Sequence, residues 1–188
     1  MPLRTFIAVE LDVPILAGLA RTQAQLAAVD GKINWVERAN LHVTMNFLGD
    51  VADDAVAEVC RRMSAAAKRV EPFGFAVRGL ACTPERGPVR MVWGLVDDPG
   101  GLLSVLHDEL ASQFAAMGLR QDHREYRPHV TLARVKYVEN PNRLRGAVRA
   151  FSDADFGRQH CEELVAFTST LTEDGPIYAP LARAALGR

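Results

Sequence analysis

Cysteine is scarce in this 188-residue chain, and long apolar runs are missing. Cys60, Cys82 and Cys161 are odd in number and form no Cys-x-x-Cys pair, so they offer no disulfide framework. No stretch approaches the roughly 20 apolar residues of a membrane span, and the N-terminal apolar run is too short for a signal peptide. We therefore predict a cytoplasmic protein with no membrane partner.

An excess of charge of either sign is also missing. The formal net charge is −1 and the sequence pI is about 6.5, so bulk electrostatics give no general attraction to nucleic acid. One local exception is the segment 120–149, which carries eight basic and three acidic residues. This segment is the best candidate for contact with a nucleic-acid backbone, with an ordinary solvated loop as the alternative.

The pattern of apolar residues predicts an α+β fold. Segments in which apolar residues recur every two residues predict strands, and segments in which they recur about every 3.6 residues predict helices. Their order along the chain is β-α-β-β-α-β-β-α-β-β-β. Because strands and helices do not strictly alternate, antiparallel sheets are favoured over a doubly wound sheet. Residues 136–160 look polar and irregular, with a short helix near 143–151, and Pro180 places the last strand, 177–181, at a sheet edge.

One tetrapeptide pattern occurs twice in the predicted strands. The copies are His42-Val43-Thr44-Met45 and His129-Val130-Thr131-Leu132. Residues i and i+2 of a strand share a face, so each copy places an imidazole beside a hydroxyl. Two such pairs across a cleft would supply two proton-transfer groups and two hydroxyl donors around one anion, which suits metal-free hydrolysis of a phosphodiester. The repetition also suggests duplication into two similar lobes that pack as one unit.

The chain resembles the 2H phosphoesterases, and within them the bacterial RNA 2′,3′-cyclic phosphodiesterases, historically called 2′-5′ RNA ligases. The resemblance runs almost end to end. It rests on the opening strand 3–10, Trp35 with the first motif block 40–49, the strand 90–93, the second motif block 127–134, and Gly175-Pro176-Ile177-Tyr178. It implies two pseudo-symmetric lobes of antiparallel sheet with outer helices and a cleft between them, which form a single bilobal domain over residues 1–188.

The resemblance also implies an activity and the residues that carry it. Such an enzyme hydrolyses RNA 2′,3′-cyclic phosphate ends to 2′-phosphate, with 2′-5′ ligation as the reverse reaction. His42 would be the proton donor and His129 the proton acceptor, while Thr44, Thr131 and Arg134 would bind the phosphate. No ligand set for Zn²⁺ or Mg²⁺ is visible in the sequence, so we expect no cofactor and no metal. We expect a monomer that acts on an RNA or oligonucleotide with a 2′,3′-cyclic phosphate end.

Arg134 poses a geometric problem for this assignment. It follows His129 by five positions, so strict alternation points it to the opposite face of the strand. A bulge or bend near the end of the strand is therefore predicted if Arg134 binds phosphate. A surface arginine without a role is the alternative.

Two further residues are candidates for substrate contact. Tyr126 lies in a loop before the second motif and could stack on a base. Asn46 shares the parity of His42 and is expected to line the cleft. By the same reasoning Phe47 is expected in the core, and so is Trp93 in its apolar strand.

Two other functions stay open at this level. One is a module of the same fold that binds AMP-like nucleotides without catalysis, and the other is a metallohydrolase with histidine ligands. The pair His160-Cys161 has no second ligand pair at a useful spacing, so we expect no metal site. The presence of both motif histidines favours catalysis over binding alone.

Overall fold

The apolar segments of the chain form the antiparallel strands of one continuous sheet. A computed structural model describes residues 2–119, 124–173 and 175–188. Within those ranges the strands are β1 Leu3–Glu10, β2 Gly31–Trp35, β3 His42–Val51, β4 Phe73–Thr83, β5 Met91–Asp97, β6 His129–Val138, β7 Asp155–Cys161, β8 Glu163–Thr172 and β9 Gly175–Ala185. The α-helices are α1 Val13–Leu26, α2 Val56–Ala67, α3 Leu102–Ala115 and α4 Pro141–Arg149.

The sheet has two halves that meet between the two motif strands. The strand order is β7-β4-β5-β6-β3-β1-β8-β9, and β2 pairs with the second part of β6. Strands β3 and β6 join through the single antiparallel pair Val43–Val130. We call β3, β1, β8 and β9 the first lobe, and β2, β6, β5, β4 and β7 the second lobe. Strand β9, which contains Pro180, lies at an edge as predicted.

Two of the helices, α1 and α3, pack against the lobe that does not contain the strand before them. Helix α1 follows β1 of the first lobe but packs against β7 and α4 in the second lobe. Helix α3 follows β5 of the second lobe but packs against β3 and α2 in the first lobe. The predicted α+β class, with two antiparallel lobes and outer helices, is confirmed. Neither lobe takes all of its structure from one half of the chain.

The helices pack through stripes of buried apolar side chains. In α3 the residues Leu103, Leu106, Leu110 and Phe114 follow helical spacing and are completely buried. Each such side chain contributes about 1.5–3 kcal/mol through removal of its apolar surface from water. Among the described residues, no helix combines the length and the apolarity that crossing a bilayer requires.

One strand was not predicted, and the helix before it was only partly located. The segment 136–160 contains α4 and most of β7. Only Gln159 and Cys161 of β7 are buried, so the strand lacks a clear apolar alternation. Its position depends on distant contacts, because the Gln159 amide accepts from the backbone N–H of Asp12 at 2.9 Å and donates to the carbonyl of Glu10 at 2.9 Å.

Each motif strand carries a β-bulge directly after its threonine. The pairing of β3 with β1 skips Met45, which follows Thr44. The pairing of β6 with β5 skips Leu132, which follows Thr131. Because a bulge adds one residue to one strand only, it reverses the parity of the side chains that follow, as far as the next irregularity in that strand.

Helix side chains cap the backbone carbonyls of both bulges. His107 of α3 donates through Nδ1 to the carbonyl of Met45 at 2.7 Å. Gln23 of α1 donates through Nε2 to the carbonyls of Leu132 at 2.9 Å and Val36 at 2.8 Å. The Leu132 carbonyl also accepts from the backbone N–H of Val36 at 2.8 Å, so Gln23 supplies its second hydrogen bond. Each hydrogen bond of this kind contributes about 0.5–1.5 kcal/mol, so the two side chains stabilise the bulged register.

We predict that Gln23→Leu lowers the free energy of unfolding by about 1–3 kcal/mol, because the carbonyls of Leu132 and Val36 each lose one hydrogen bond while the side-chain volume is roughly kept. Urea denaturation monitored by circular dichroism measures this change. Thr22→Val is the matched control. It removes a neighbouring buried hydroxyl that donates to the carbonyl of Gly18 within α1 at 3.2 Å, so it should cost much less. Equal stability of Gln23→Leu and wild type would contradict the capping role.

Candidate active site

The two motifs lie on neighbouring strands, on the sheet face away from the helices. Val43 and Val130 are paired and completely buried on the helix side. The residues on either side of each valine therefore point to the other face. In this antiparallel register His42 lies towards Thr131, and Thr44 lies towards His129. The structure thus brings together the four groups that the repeated pattern predicted.

Backbone carbonyls hold both imidazoles in the same way. Nδ1 of His42 donates to the carbonyl of Asn40 at 2.7 Å, and Nδ1 of His129 donates to the carbonyl of Arg127 at 2.7 Å. A carbonyl only accepts, so the proton of each neutral ring is assigned to Nδ1. Nε2 is then the atom that can exchange a proton. In His42 this atom lies 2.8 Å from Oγ1 of Thr44.

Aromatic side chains pack against His42. Its ring stacks on Phe6 at a centroid distance of 5.0 Å, and Tyr178 approaches it edge-on at 5.6 Å. Burial lowers the pKa of His42, and the nearby charge of His129 lowers it further, against the opposing effect of the hydrogen bond to the carbonyl of Asn40. A positive charge on His129 thus disfavours a second positive charge on His42.

His129 lies against a different aromatic partner. Its ring stacks on the indole of Trp93 at 3.8 Å with an interplanar angle of 14°. Burial lowers the pKa of His129, the hydrogen bond to Arg127 opposes this shift, and the positive charge of Arg134 lowers the pKa further. Trp93 was expected in the core, but it supports His129 on the cleft face.

Arg134 lies on the same face as His129. The predicted irregularity is the bulge at Leu132, which reverses the parity and pairs Arg134 with Met91, two residues from Trp93. The guanidinium is exposed, and among the described residues it has no carboxylate partner; its hydrogen-bonding contact is the sulfur of Met91 at 3.9 Å. It is therefore available to an anion in the cleft.

The equivalent bulge in β3 overturns two expectations. Past Met45, Asn46 pairs with Ile7 on the helix side and is only 8% exposed, so it does not line the cleft. Among the described residues its Oδ1 has no hydrogen-bond partner. Phe47, which was expected in the core, instead lies on the cleft face and is 50% exposed.

Tyr126 supports the site from behind and does not face the cleft. Its hydroxyl donates to the carbonyl of Thr44 at 3.0 Å and approaches the sulfur of Met45 at 3.3 Å. Its ring stacks on His107 at 4.1 Å, with an interplanar angle of 5°. Burial strongly raises the pKa of the hydroxyl, so it stays protonated as a donor. The prediction that Tyr126 stacks on a base is therefore wrong.

The C-terminal hairpin contributes Tyr178, a residue with no role in the sequence-based prediction. Burial raises the pKa of the Tyr178 hydroxyl, while the charges of Arg134 and Arg4 oppose this shift, so both arginines lie near it. The hairpin is fixed to the first motif because Nδ2 of Asn40 donates to the carbonyl of Pro176 at 2.9 Å. The Gly-Pro-Ile-Tyr segment, which is part of the family resemblance, was the sequence signal that could have identified Tyr178 as a residue of the site.

The basic segment is not a continuous free patch. Residues 120–123 of that segment lie outside the described residues. Arg143 forms an ion pair with Asp30 at 3.3 Å, and Arg145 donates to backbone carbonyls in the 84–87 loop. These cations are engaged locally, and contact of the segment with nucleic acid stays a prediction.

Side chains of the metal-ligating types are dispersed through the described part of the chain. Within residues 2–119, 124–173 and 175–188, no three His, Cys, Asp or Glu side chains come together in a group that could hold a metal ion. His160 and Cys161 are neighbours on β7, where Cys161 is buried and His160 is exposed.

Sequence comparison divides the chain into two matched segments that follow each other along the sequence. The model of the family described as LigT like Phosphoesterase matches residues 9–93 and again residues 94–178. Each match contains one His-x-Thr motif. The chain belongs to the LigT-like phosphoesterase family. The double match supports the predicted duplication.

Individual relatives extend over almost the whole chain. A protein of Methanothermobacter thermautotrophicus named RNA 2′,3′-cyclic phosphodiesterase is 32% identical over 181 residues, which is 96% of this chain and 97% of the relative. Escherichia coli LigT in complex with 3′-AMP has a TM-score of 0.76 at 25% identity, with 100% of both chains covered. A crystal structure from Thermus thermophilus shares the fold with a TM-score of 0.83 at 23% identity and 98% coverage of both chains.

The lowered histidine pKa values predict a pH dependence of stability. An unfolded histidine titrates near 6.5, so between the folded pKa and about 6.5 the unfolded chain binds more protons. The stabilisation is complete above about pH 6.5 and is lost as the pH falls through the folded pKa. We expect the free energy of unfolding to fall more steeply from pH 7 to pH 5 in wild type than in a His42→Gln, His129→Gln double variant. Equal slopes in urea titrations would contradict the pKa directions.

Proposed function

We propose that this protein hydrolyses RNA 2′,3′-cyclic phosphate ends to 2′-phosphate ends by metal-independent acid/base catalysis. The observation that carries the proposal is the matched placement of His42 and His129. Both rings are held at Nδ1 by a backbone carbonyl two residues earlier, on neighbouring strands and the same open face. A pair of positioned imidazoles of this kind can remove one proton and supply another in a single displacement.

In the proposed step, a water molecule attacks the phosphorus of the strained cyclic diester. Nε2 of neutral His129 accepts a proton from this water as the new P–O bond forms. The bond from phosphorus to the ribose 3′-oxygen breaks, and Nε2–H of protonated His42 donates its proton to that oxygen. The products are a 2′-phosphate and a 3′-hydroxyl. The assignment of donor and acceptor follows the family resemblance.

The remaining groups would stabilise the phosphoryl oxygens. The hydroxyls of Thr44 and Thr131 would donate to the non-bridging oxygens and hold the phosphorus between the imidazoles. Arg134 is exposed on the same face and would offset the charge that develops there through its planar set of donors. Each of these three groups acts on charge that increases in the transition state.

Substrate binding would also set the protonation states. Burial lowers the pKa of both histidines in the free protein, which favours the neutral forms. The negative charge of a bound phosphodiester favours the protonated form of an adjacent imidazole. The anion would therefore help to create the acid that the reaction needs. In the free protein, Nε2 of His42 lies 2.8 Å from Oγ1 of Thr44, which is hydrogen-bonding distance.

The same groups would catalyse 2′-5′ ligation, as transfer to a 5′-hydroxyl in place of water and not as a reversal of the hydrolytic step. A 5′-hydroxyl would take the position of the attacking water and lose its proton to His129. Its attack on the cyclic phosphate, with release of the 3′-oxygen, gives a 2′-5′ linkage. Water is in large excess over any 5′-hydroxyl end in dilute solution, so hydrolysis would dominate. The relatives named RNA 2′,3′-cyclic phosphodiesterase support the hydrolytic activity.

We predict that His42→Ala and His129→Ala each lower kcat by roughly 10²–10⁴-fold, because each removes a proton-transfer group. The assay follows an oligonucleotide that ends in a 2′,3′-cyclic phosphate and identifies the product end. His160→Ala is the matched control, since this exposed histidine lies on β7, away from the motifs. A near wild-type kcat in either motif variant would remove that histidine from the mechanism. Binding without turnover by wild type would favour the AMP-like binding module.

We expect activity to persist in excess EDTA, because every group in the proposed step is a side chain of the protein or the water itself. Dialysis against EDTA followed by the same assay measures this. A metallohydrolase gives the opposite result, namely loss of activity that one added metal ion restores.

A further inference from the structure

The hydroxyl of Tyr178 is a hydrogen-bonding group at the cleft that the proposed step does not use. Among the described residues it has no hydrogen-bond partner, and it is not one of the completely enclosed unpaired atoms. The hydroxyl of Tyr126, in comparison, already donates to the carbonyl of Thr44 at 3.0 Å. A tyrosine hydroxyl can both donate and accept a hydrogen bond. The Tyr178 hydroxyl is therefore open to a ligand.

The ring of Tyr178 is fixed beside His42. It meets the imidazole edge-on at a centroid distance of 5.6 Å and an interplanar angle of 81°, and it meets Phe6 at 4.9 Å and 70°. Asn40 donates to the carbonyl of Pro176, two residues before Tyr178, and its own carbonyl accepts from Nδ1 of His42. One residue thus sets the position of the candidate acid and of the tyrosine together.

Two arginines show where the hydroxyl end of this ring lies. Burial raises the pKa of the Tyr178 hydroxyl, and the positive charges of Arg134 and Arg4 oppose this shift. Arg134 belongs to β6 of the second lobe, whereas Tyr178 belongs to β9 of the first. A charge on the opposite lobe acts on the hydroxyl, so that end of the ring lies towards the cleft. A hydroxyl donor near two guanidinium groups suits an anion.

We infer that Tyr178 is a further catalytic residue, whose hydroxyl donates a hydrogen bond to a non-bridging oxygen of the cyclic phosphate. This inference rests on the proposed function. The first lobe contributes Tyr178 where the second lobe contributes Arg134, so each lobe adds one donor to that of its threonine. The hydrogen bond strengthens as negative charge builds on the phosphoryl oxygens in the transition state. Burial keeps the hydroxyl protonated, so it serves as a donor at neutral pH.

The test uses an oligonucleotide that ends in a 2′,3′-cyclic phosphate and its two phosphorothioate diastereomers, each with sulfur in place of one non-bridging oxygen. Sulfur accepts hydrogen bonds poorly, so the isomer whose sulfur faces Tyr178 already lacks this contact in wild type. We expect Tyr178→Phe to lower kcat/KM roughly 10- to 100-fold for the oxygen substrate and for one diastereomer, the range for loss of a hydrogen bond to a charged group. For the other diastereomer the loss should be much smaller.

Tyr137→Phe is the matched control, since Tyr137 is a tyrosine of the second lobe with 63% exposure. This variant should keep the wild-type kcat/KM for all three substrates. Tyr178→Phe retains the ring that packs on His42 and Phe6, so its midpoint of urea denaturation should match that of wild type. An unchanged kcat/KM for the oxygen substrate, or an equal loss for all three substrates, would overturn the inference. Lack of turnover of the oxygen substrate by wild type would overturn the proposed function instead.

Discussion

The hydrogen bonds to two buried bulge carbonyls determine what faces the cleft. Met45 and Leu132 each add one residue to a motif strand, and a helix side chain caps the carbonyl of each. A regular strand would turn Arg134 towards the helices, where an unpaired guanidinium is very costly to bury. The bulges make each motif strand present an imidazole, a hydroxyl and then a third side chain, Phe47 or Arg134, on one face. The caps, His107 and Gln23, therefore help to determine which residues face the cleft.

Burial of the histidines has opposing effects on the proposed chemistry. Aromatic contacts fix the ring planes, and the Nδ1 hydrogen bonds fix the orientation of each Nε2. The same burial lowers both pKa values and works against the protonated acid. An anionic substrate reverses this effect because it favours the imidazolium form. The free site thus favours the neutral form of both histidines. Binding of a phosphate would supply the negative charge that favours protonation of one histidine, which could then act as an acid.

Sequence reasoning located the four motif groups because a period of two and a repeated pattern are local signals. It also required a bulge before Arg134, and the structure has one. The errors at Asn46 and Phe47 came from strict alternation in the first motif strand. The repeated motif could have corrected both errors, because a bulge after Thr131 implies an equivalent bulge after Thr44. Strand β7 and the inward position of Tyr126 had no such signal, because long-range contacts of Gln159 and His107 determine them.

The exchange of helices explains why the two half-sites depend on each other. Helix α1 leaves the first lobe and brings Gln23 to the bulge of the second, whereas α3 leaves the second lobe and brings His107 to the bulge of the first. A half-chain that formed only one lobe would lack the side chain that caps its own bulge. Its motif strand could then return to the regular register, with its third functional side chain turned away from the cleft. The duplication thus does more than supply two histidines, because each copy of the pattern needs the other half of the chain to reach its working geometry.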